Sequence, residues 1–152
     1  MTGRIILIGM PAGGKTTIGA ALSRALSVPF YDADALTEQT VGRSIPEIFA
    51  AEGEAAFRAL ERRTLEALCT ETETPCVIAT GGGAVLTEQN RELLRRSGTV
   101  FWLDRTVDNI MSTDYAAERP LLAGGEAALR ALYAVRCPLY AACAHYRVPD
   151  GT

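Results

Sequence analysis

Lys15 is the only lysine among the 15 basic residues of this 152-residue chain, and it lies in a segment that could hold phosphate groups. The segment Gly9-Met10-Pro11-Ala12-Gly13-Gly14-Lys15-Thr16 fits the pattern G-x-x-x-x-G-K-[ST]. In such a loop, glycines let backbone N–H groups turn toward phosphate oxygens, the lysine neutralises them, and the threonine hydroxyl can ligate Mg²⁺. The predicted ATP-binding residues are Gly9, Ala12, Gly13, Gly14, Lys15, Thr16 and Thr17, with Mg²⁺ held at Thr16.

The residues on either side of the loop predict the elements that position it. Residues 4–8 form a β-branched run typical of a buried parallel strand. Residues 16–26 carry Ile18, Leu22 and Leu26 at helical spacing. A helix that begins at the loop adds the partial positive charge of its N-terminus to the phosphate site. A glycine-rich turn alone would explain the glycines but not the Lys-Thr pair.

Strand and helix patterns alternate along the rest of the chain. Further strands are predicted at 28–31, 76–79 and 99–103, with a last strand near His145, and helices at 89–96, 107–111 and 126–142. Ser44, Pro46 and Glu47 form a helix start with a capping box, which leads a helical region to about residue 68. This order predicts one α/β domain over 1–152, a three-layer α/β/α sandwich around a five-stranded parallel sheet. Its ligands would bind at the carboxyl ends of the strands.

Residues 112–125 fit no regular element. The segment is polar, contains Arg119-Pro120 and ends at Gly124-Gly125. Long loops in compact domains are often functional, and phosphoryl transfer requires water to be excluded. We therefore expect this segment to be a mobile lid.

Composition narrows the range of partners. The net charge is −3 and the arginines are scattered, which argues against a nucleic-acid surface. The apolar runs are too short for a membrane span, and no signal-peptide pattern is visible, so a cytoplasmic location is expected. No residue implies an oligomer, so a monomer is expected. The cysteines show no metal-ligand spacing and are predicted to be free thiols, and His145 is expected to be a surface or packing residue.

Two pairs of polar residues are candidates for binding the molecule that accepts the phosphoryl group. Asp32 and Asp34 follow a predicted strand, and in an extended chain their carboxylates would face the same side, toward the phosphate loop. One could support Mg²⁺ and the other orient a hydroxyl, although a solvated turn would have the same sequence. Arg58 and Glu61 lie three apart on one helix face and could grip a carboxylate, or form an ordinary surface ion pair.

These segments together resemble the shikimate kinase family, from about residue 5 to residue 148. The resemblance rests on seven ordered segments: the phosphate loop, Phe30-Tyr31-Asp32-Ala33-Asp34 with Glu38, Ile48-Phe49 through Gly53-Glu54, Phe57-Arg58 with Glu61, Thr80-Gly81-Gly82-Gly83-Ala84, Arg119-Pro120-Leu121-Leu122, and Arg136 with Pro138 and Tyr140. Seven segments at family spacing are far more specific than the loop alone.

The resemblance implies a reaction, in which ATP phosphorylates the 3-hydroxyl of shikimate in the aromatic amino acid pathway. It implies a substrate-binding region at about 33–61. By the same resemblance, the catalytic residues would be Lys15, Asp34 as base or orienter, and Arg119, which would bind ATP and stabilise the transferring phosphoryl group. Asp32 would support Mg²⁺ with Thr16. The implied shikimate-binding residues are Asp34, Arg58, Glu61, Gly81, Gly82, Gly83 and Arg136.

Three features depart from the family pattern. Ala12 replaces a glycine of the loop, and no arginine stands just before the lid, because Arg105 comes too early to align with the family's adenine-stacking arginine. The family also continues beyond residue 152 with an adenine-contacting loop and a helix. Gluconate kinase, a nucleoside monophosphate kinase and a non-catalytic nucleotide-binding module are the alternatives.

Overall fold

The computed structural model describes residues 3–11, 14–111 and 125–150, and within them five strands form one sheet. The strands are β1 (Arg4–Ile8), β2 (Phe30–Asp32), β3 (Cys76–Ala79), β4 (Thr99–Asp104) and β5 (Tyr146–Pro149). Their order is β2-β3-β1-β4-β5, and every neighbouring pair is parallel. The predicted five-stranded parallel sheet is confirmed.

Helices connect these strands. Those among the described residues are α1 (Lys15–Leu26), α2 (Ala33–Val41), α3 (Ile45–Glu52), α4 (Glu54–Glu71), α5 (Glu88–Ser97), α6 (Val107–Met111) and α7 (Gly125–Cys143). The predicted lid at 112–125, including Arg119, lies outside the described residues apart from Gly125, and Ala12 and Gly13 also lie outside them.

The alternation of side chains along β1 explains the three layers. Ile6 and Ile8 join a core cluster that includes Leu65 of α4 and Leu94 of α5. Leu7 points to the opposite face of the sheet, where Leu22 of α1 packs. Both faces of the sheet are thus covered by helices, as a fully parallel sheet requires.

The start of α2 corrects the predicted geometry of the two aspartates. The strand that was expected to end at residue 31 ends at Asp32, whose Oδ1 accepts a hydrogen bond of 3.1 Å from the Ala35 amide and caps α2. Asp34 therefore lies in the first turn of a helix and not in extended chain, so the prediction that the two carboxylates share one side of a strand end was wrong. The capping preference of aspartate, which favours helix starts, outweighs the extended pattern here.

The helical region predicted after Ser44 divides at Gly53. The capping box forms as expected, because Ser44 Oγ accepts from the Glu47 amide at 3.3 Å and Glu47 Oε1 from the Ser44 amide at 3.2 Å. Gly53 has φ 87° and ψ 174°, which ends α3 and starts α4 in a new direction. A positive φ of this kind favours glycine, and the break sets the direction of α4 independently of α3.

The carboxyl ends of β3 and β1 are joined by Thr80. Its backbone amide and its hydroxyl both donate to the Leu7 carbonyl, at 3.1 and 2.8 Å. This places the glycines that follow Thr80 next to the phosphate loop that follows β1. The phosphate loop and the three glycines therefore both lie at the edge of the sheet where ligands were expected.

Candidate active site

Lys15 begins α1 and bonds the first residues of the phosphate loop. Lys15 is 8% exposed, and its Nζ donates to the carbonyls of Gly9 at 2.7 Å and Met10 at 2.8 Å. Gly14 has φ 86° and precedes α1, where no side chain caps the first turn. No described side chain caps the amide groups at this helix start, where an anion is favoured, and a buried ammonium group lies beside them.

Thr16 and Asp32 meet at the mouth of the loop. The Thr16 hydroxyl donates to Asp32 Oδ2 at 2.7 Å, while Asp32 Oδ1 caps α2. Thr17 is exposed on the same turn of α1. Hydroxyl and carboxylate oxygens are the donors that Mg²⁺ takes, usually with water and substrate phosphates completing the shell. The Thr16–Asp32 pair fits such an ion.

The three glycines after Thr80 contact three different elements. A Cβ on Gly81 would lie 2.5 Å from Asp34 Oδ1, and one on Gly82 would lie 2.7 Å from Pro11 Cδ. A Cβ on Gly83 would overlap the Arg58 guanidinium, with Nη2 at 2.6 Å. No side chain fits at any of these positions as the neighbours stand. The backbone of the triple glycine therefore lies directly between α2, the phosphate loop and α4.

Arg58 and Glu61 form a part-buried pair, in which Glu61 is buried, so they are not the ordinary surface ion pair left open by the sequence. Arg58 Nη1 donates to Glu61 Oε1 at 2.9 Å, and the two side chains are 24% and 3% exposed. Arg58 Nε also contacts Glu54 at 3.3 Å, and the guanidinium lies 5.2 Å from the centre of the Phe57 ring. These contacts orient the Arg58 guanidinium toward Gly83.

Glu61 lies at the centre of the predicted substrate residues. Its Oε2 atom is buried and has no hydrogen-bond partner among the described residues. Burial raises the pKa of Glu61 above its ordinary value of 4.5. The charge and hydrogen bond of Arg58 oppose this shift, the nearby Asp34 adds to it, and Arg136 opposes it. Side chains from α2, α4 and α7 thus act on one carboxyl group, so the structure brings Asp34, Arg58, Glu61 and Arg136 together.

Tyr140 belongs to the same cluster, although the sequence assigned it no role. It is fully buried, and its hydroxyl donates to the Gly82 carbonyl at 2.7 Å. Burial raises the pKa of this hydroxyl to about 12, and the charge of Arg136 acts in the opposite direction. The sequence signal was its position one helical turn after Arg136, which places both on one face of α7.

Arg105 is a second residue that sequence reasoning set aside. It follows β4 directly, and its Nη1 atom lies 3.7 Å from the position that a Cβ on Gly14 would take. Its place in the chain does not match the family's adenine-stacking arginine, but the packing of β4 against β1 brings it to the phosphate loop.

The remaining candidates lie away from this cluster. His145 is exposed, and its Nδ1 accepts from the Val100 amide at 2.9 Å, so it is the surface and packing residue that was expected. The four cysteines are free thiols, as predicted. In the described ranges, no group of three or more His, Cys, Asp or Glu residues could hold a metal. Within the same ranges, no helix is long and apolar enough to cross a membrane.

Comparison with known proteins gives one consistent result. Residues 11–152 match the family described as shikimate kinase. The shikimate kinase of Symbiobacterium thermophilum is 44% identical over 149 residues, which are 95% of this chain and 84% of that protein. The shikimate kinase of Ruegeria pomeroyi is 41% identical over 97% of this chain and 76% of that protein.

A solved structure agrees with these relatives. The shikimate kinase of Acinetobacter baumannii, determined in complex with shikimate, superposes with a TM-score of 0.91. It is 38% identical and the match covers 98% of this chain and 84% of that one.

Proposed function

Because this chain belongs to the shikimate kinase family, we infer that it transfers the γ-phosphoryl group of ATP to the 3-hydroxyl of shikimate. The products are ADP and 3-phosphoshikimate, an intermediate on the way to aromatic amino acids. One observation carries the inference beyond family membership. Asp34 and Arg58 converge on Gly81 and Gly83, and Gly82 between them lies against Pro11 of the phosphate loop. The binding sites for the phosphoryl acceptor and for ATP would thus both border the backbone of the triple glycine.

Arg58 and Arg136 are proposed to grip the shikimate carboxylate. A guanidinium presents parallel N–H groups that match a carboxylate, and Glu61 holds Arg58 by its 2.9 Å bond. The Glu61 Oε2 atom is buried and has no hydrogen-bond partner in the described part of the chain. This supports a polar ligand beside it, because a buried oxygen without a partner is costly. Glu61 is therefore proposed both to orient Arg58 and to accept from the substrate or a bound water.

Asp34 is proposed to take the proton of the attacking hydroxyl. The 3-hydroxyl oxygen forms a bond to the γ-phosphorus while the bond from that phosphorus to the β,γ-bridging oxygen breaks, and ADP leaves. The hydroxyl proton passes to the Asp34 carboxylate. The place of Asp34 in the first turn of α2, against Gly81, supports this role because a helix start fixes its position more rigidly than a loop would.

The phosphate side is proposed to be built from the loop and α1. Lys15 would exchange its bonds to Gly9 and Met10 for phosphate oxygens, and the open amides at the start of α1 would bind them too. Mg²⁺ would be held by Thr16 directly and by Asp32 through water, and when bound it neutralises charge on the phosphates. The roles of Ala12, Gly13 and Arg119, and the monomeric state and cytoplasmic location, stay predictions.

The test is ADP production by the purified chain from ATP and Mg²⁺, with shikimate, gluconate and AMP offered separately. We expect turnover with shikimate alone. Turnover with gluconate or AMP at a comparable rate would contradict the assignment. The alternative of a non-catalytic nucleotide-binding module predicts that ADP binds while no acceptor is phosphorylated.

A further inference from the structure

Arg105 lies at the carboxyl end of β4, beside the loop that follows β1. The two strands pair in parallel from Ile5 with Thr99 to Ile8 with Trp102. A Cβ on Gly9 would lie 2.8 Å from the Leu103 carbonyl oxygen, so the start of the phosphate loop packs against the end of β4. The Arg105 amide donates to the same Leu103 carbonyl at 3.1 Å, which turns the chain at this point.

The guanidinium of Arg105 reaches the start of α1. Its Nη1 atom and Ile18 Cδ1 each lie 3.7 Å from the position that a Cβ on Gly14 would occupy. Ile18 is 45% exposed, so the Gly14 backbone is bordered by a cation on one side and by an apolar side chain on the other. Because Gly14 has no side chain, the guanidinium has room to approach the amides of the first turn of α1.

The charge of Arg105 is not matched by an ion pair in the described parts of the chain. Arg58, Arg62 and Arg147 each contact a carboxylate at 3.3 Å or less, whereas no carboxylate of residues 3–11, 14–111 or 125–150 lies within 4.0 Å of the Arg105 guanidinium. The first turn of α1 carries no acidic residue either. A half-buried cation therefore lies beside a helix N-terminus. Asp150, which accepts a hydrogen bond from the Thr106 amide, is a nearby carboxylate on which the charge of Arg105 acts, although the two form no ion pair in the described parts of the chain.

We propose that Arg105 is a nucleotide-binding residue of this chain, which contacts the phosphate groups of ATP and ADP from the β4 side. The inference rests on the proposed function for the presence of a nucleotide at the loop. Phosphate is favoured over the base as the contact, since the guanidinium lies at the glycine loop and the helix start, where phosphates bind. A planar guanidinium also pairs well with phosphate oxygens.

The test is direct titration of the whole chain with Mg²⁺-ADP and, separately, with inorganic tripolyphosphate, which has no base. Arg105→Ala is expected to weaken both ligands by about tenfold, because a charge-assisted hydrogen bond is lost. Arg105→Lys should recover part of the affinity, and Arg105→Gln provides a second uncharged variant. The matched control is Arg24→Ala, which removes the same charge at the exposed, opposite end of α1, and should leave both affinities within about twofold.

Each result decides the assignment. Unchanged ADP affinity in folded Arg105→Ala and Arg105→Gln would overturn it. Loss of ADP affinity with unchanged tripolyphosphate affinity would overturn the phosphate contact and indicate the base or ribose instead. Neither titration needs shikimate, so a chain that binds ADP through Arg105 but phosphorylates no acceptor would contradict only the proposed function.

Discussion

The Tyr140 hydroxyl lies 2.7 Å from the Gly82 carbonyl oxygen, which ties helix α7 to the middle of the triple glycine. In Tyr140→Phe, the Gly82 carbonyl loses its hydrogen-bond donor at a part-buried position. We expect a loss of about 1–3 kcal/mol in the free energy of unfolding. Because Arg136 lies one turn away on the same helix, the dissociation constant of shikimate should also rise, by about threefold or more. Urea unfolding and a shikimate titration measure the two effects.

The matched control is Tyr133→Phe on the same helix. The Tyr133 hydroxyl donates to Asp104 Oδ1 at 2.8 Å, away from the glycines. This variant should lose stability but keep its shikimate affinity. Equal shikimate affinity in both variants and the unmodified chain would refute a role for Tyr140 in the site.

Glu61→Gln should change the pH dependence of stability. Burial holds the pKa of Glu61 above its ordinary value of 4.5 in the folded chain, so between the unfolded and folded pKa values the folded state binds more protons. The contribution of Glu61 to the free energy of unfolding is therefore fully present below about pH 4.5. It is lost as the pH rises through the pKa of Glu61 in the folded chain. Relative to Glu61→Gln, the unmodified chain should lose stability over this window.

Urea unfolding of both proteins at a series of pH values from 4 to 8 gives their free energies of unfolding for this comparison. The carboxyl groups distant from Glu61 are common to both chains and cancel in the difference. Parallel stability curves would contradict the raised pKa. The Gln variant should also bind shikimate more weakly, since it cannot hold Arg58 by a charged bond.

Gly82→Ala and Gly83→Ala should have different effects on stability and on ligand binding. The new Cβ at 82 would meet the Pro11 ring, which cannot turn away, so we expect a loss of stability of about 1–3 kcal/mol and weaker binding of both ATP and shikimate. The new Cβ at 83 would meet the flexible end of Arg58, which can move, so shikimate affinity alone should fall. Thermal unfolding with separate titrations of ADP and shikimate distinguishes the two. The same pattern in both variants would show that the glycines act as one unit.

Asp34→Asn tests the proposed base. The amide keeps the size of the side chain but cannot take a proton, so turnover should fall by about 10²–10⁴-fold. ATP binding should stay within about twofold, because Asp34 makes no proposed contact with phosphate. Steady-state kinetics and ADP titration measure these quantities. A parallel loss of ATP and shikimate affinity would contradict the role given to Asp34.

Arg136→Ala should mainly weaken shikimate binding, by about 10- to 100-fold, because one charged partner of the carboxylate is removed. Arg130→Ala is a suitable control on the same helix. Arg130 is half exposed and pairs with Asp108 and Glu126 at the surface, where ion pairs contribute little. Calorimetric titration with shikimate gives both constants, and an unchanged value in Arg136→Ala would remove this residue from the site.

Local patterns were sufficient to predict much of the fold. The strand predicted from the β-branched run at residues 4–8, the helix predicted after the phosphate loop and the capping box at Ser44 and Glu47 all form as expected. Each depends on a few neighbouring residues. By contrast, α2 was missed because Asp32 can end a strand and cap a helix at the same time, and an aspartate that does both gives no separate signal.

The parts of the site that depend on distant packing could not be predicted in the same way. The burial that distinguishes the Arg58–Glu61 pair from a surface pair comes from α2 and the triple glycine, which are distant in the chain. The approach of Arg105 to Gly14 depends on the register of β4 against β1. The family resemblance supplied the grouping of Asp34, Arg58, Glu61 and Arg136 that spacing alone did not.

Asp32 uses its two carboxylate oxygens on two different helices. One bonds the Thr16 hydroxyl at the start of α1 and the other caps α2, two residues before Asp34. Removal of this carboxylate therefore takes away a hydrogen bond at the start of each helix, and one of those helix starts carries Asp34. One side chain thus joins the segment proposed to hold the nucleotide to the segment proposed to position the acceptor hydroxyl.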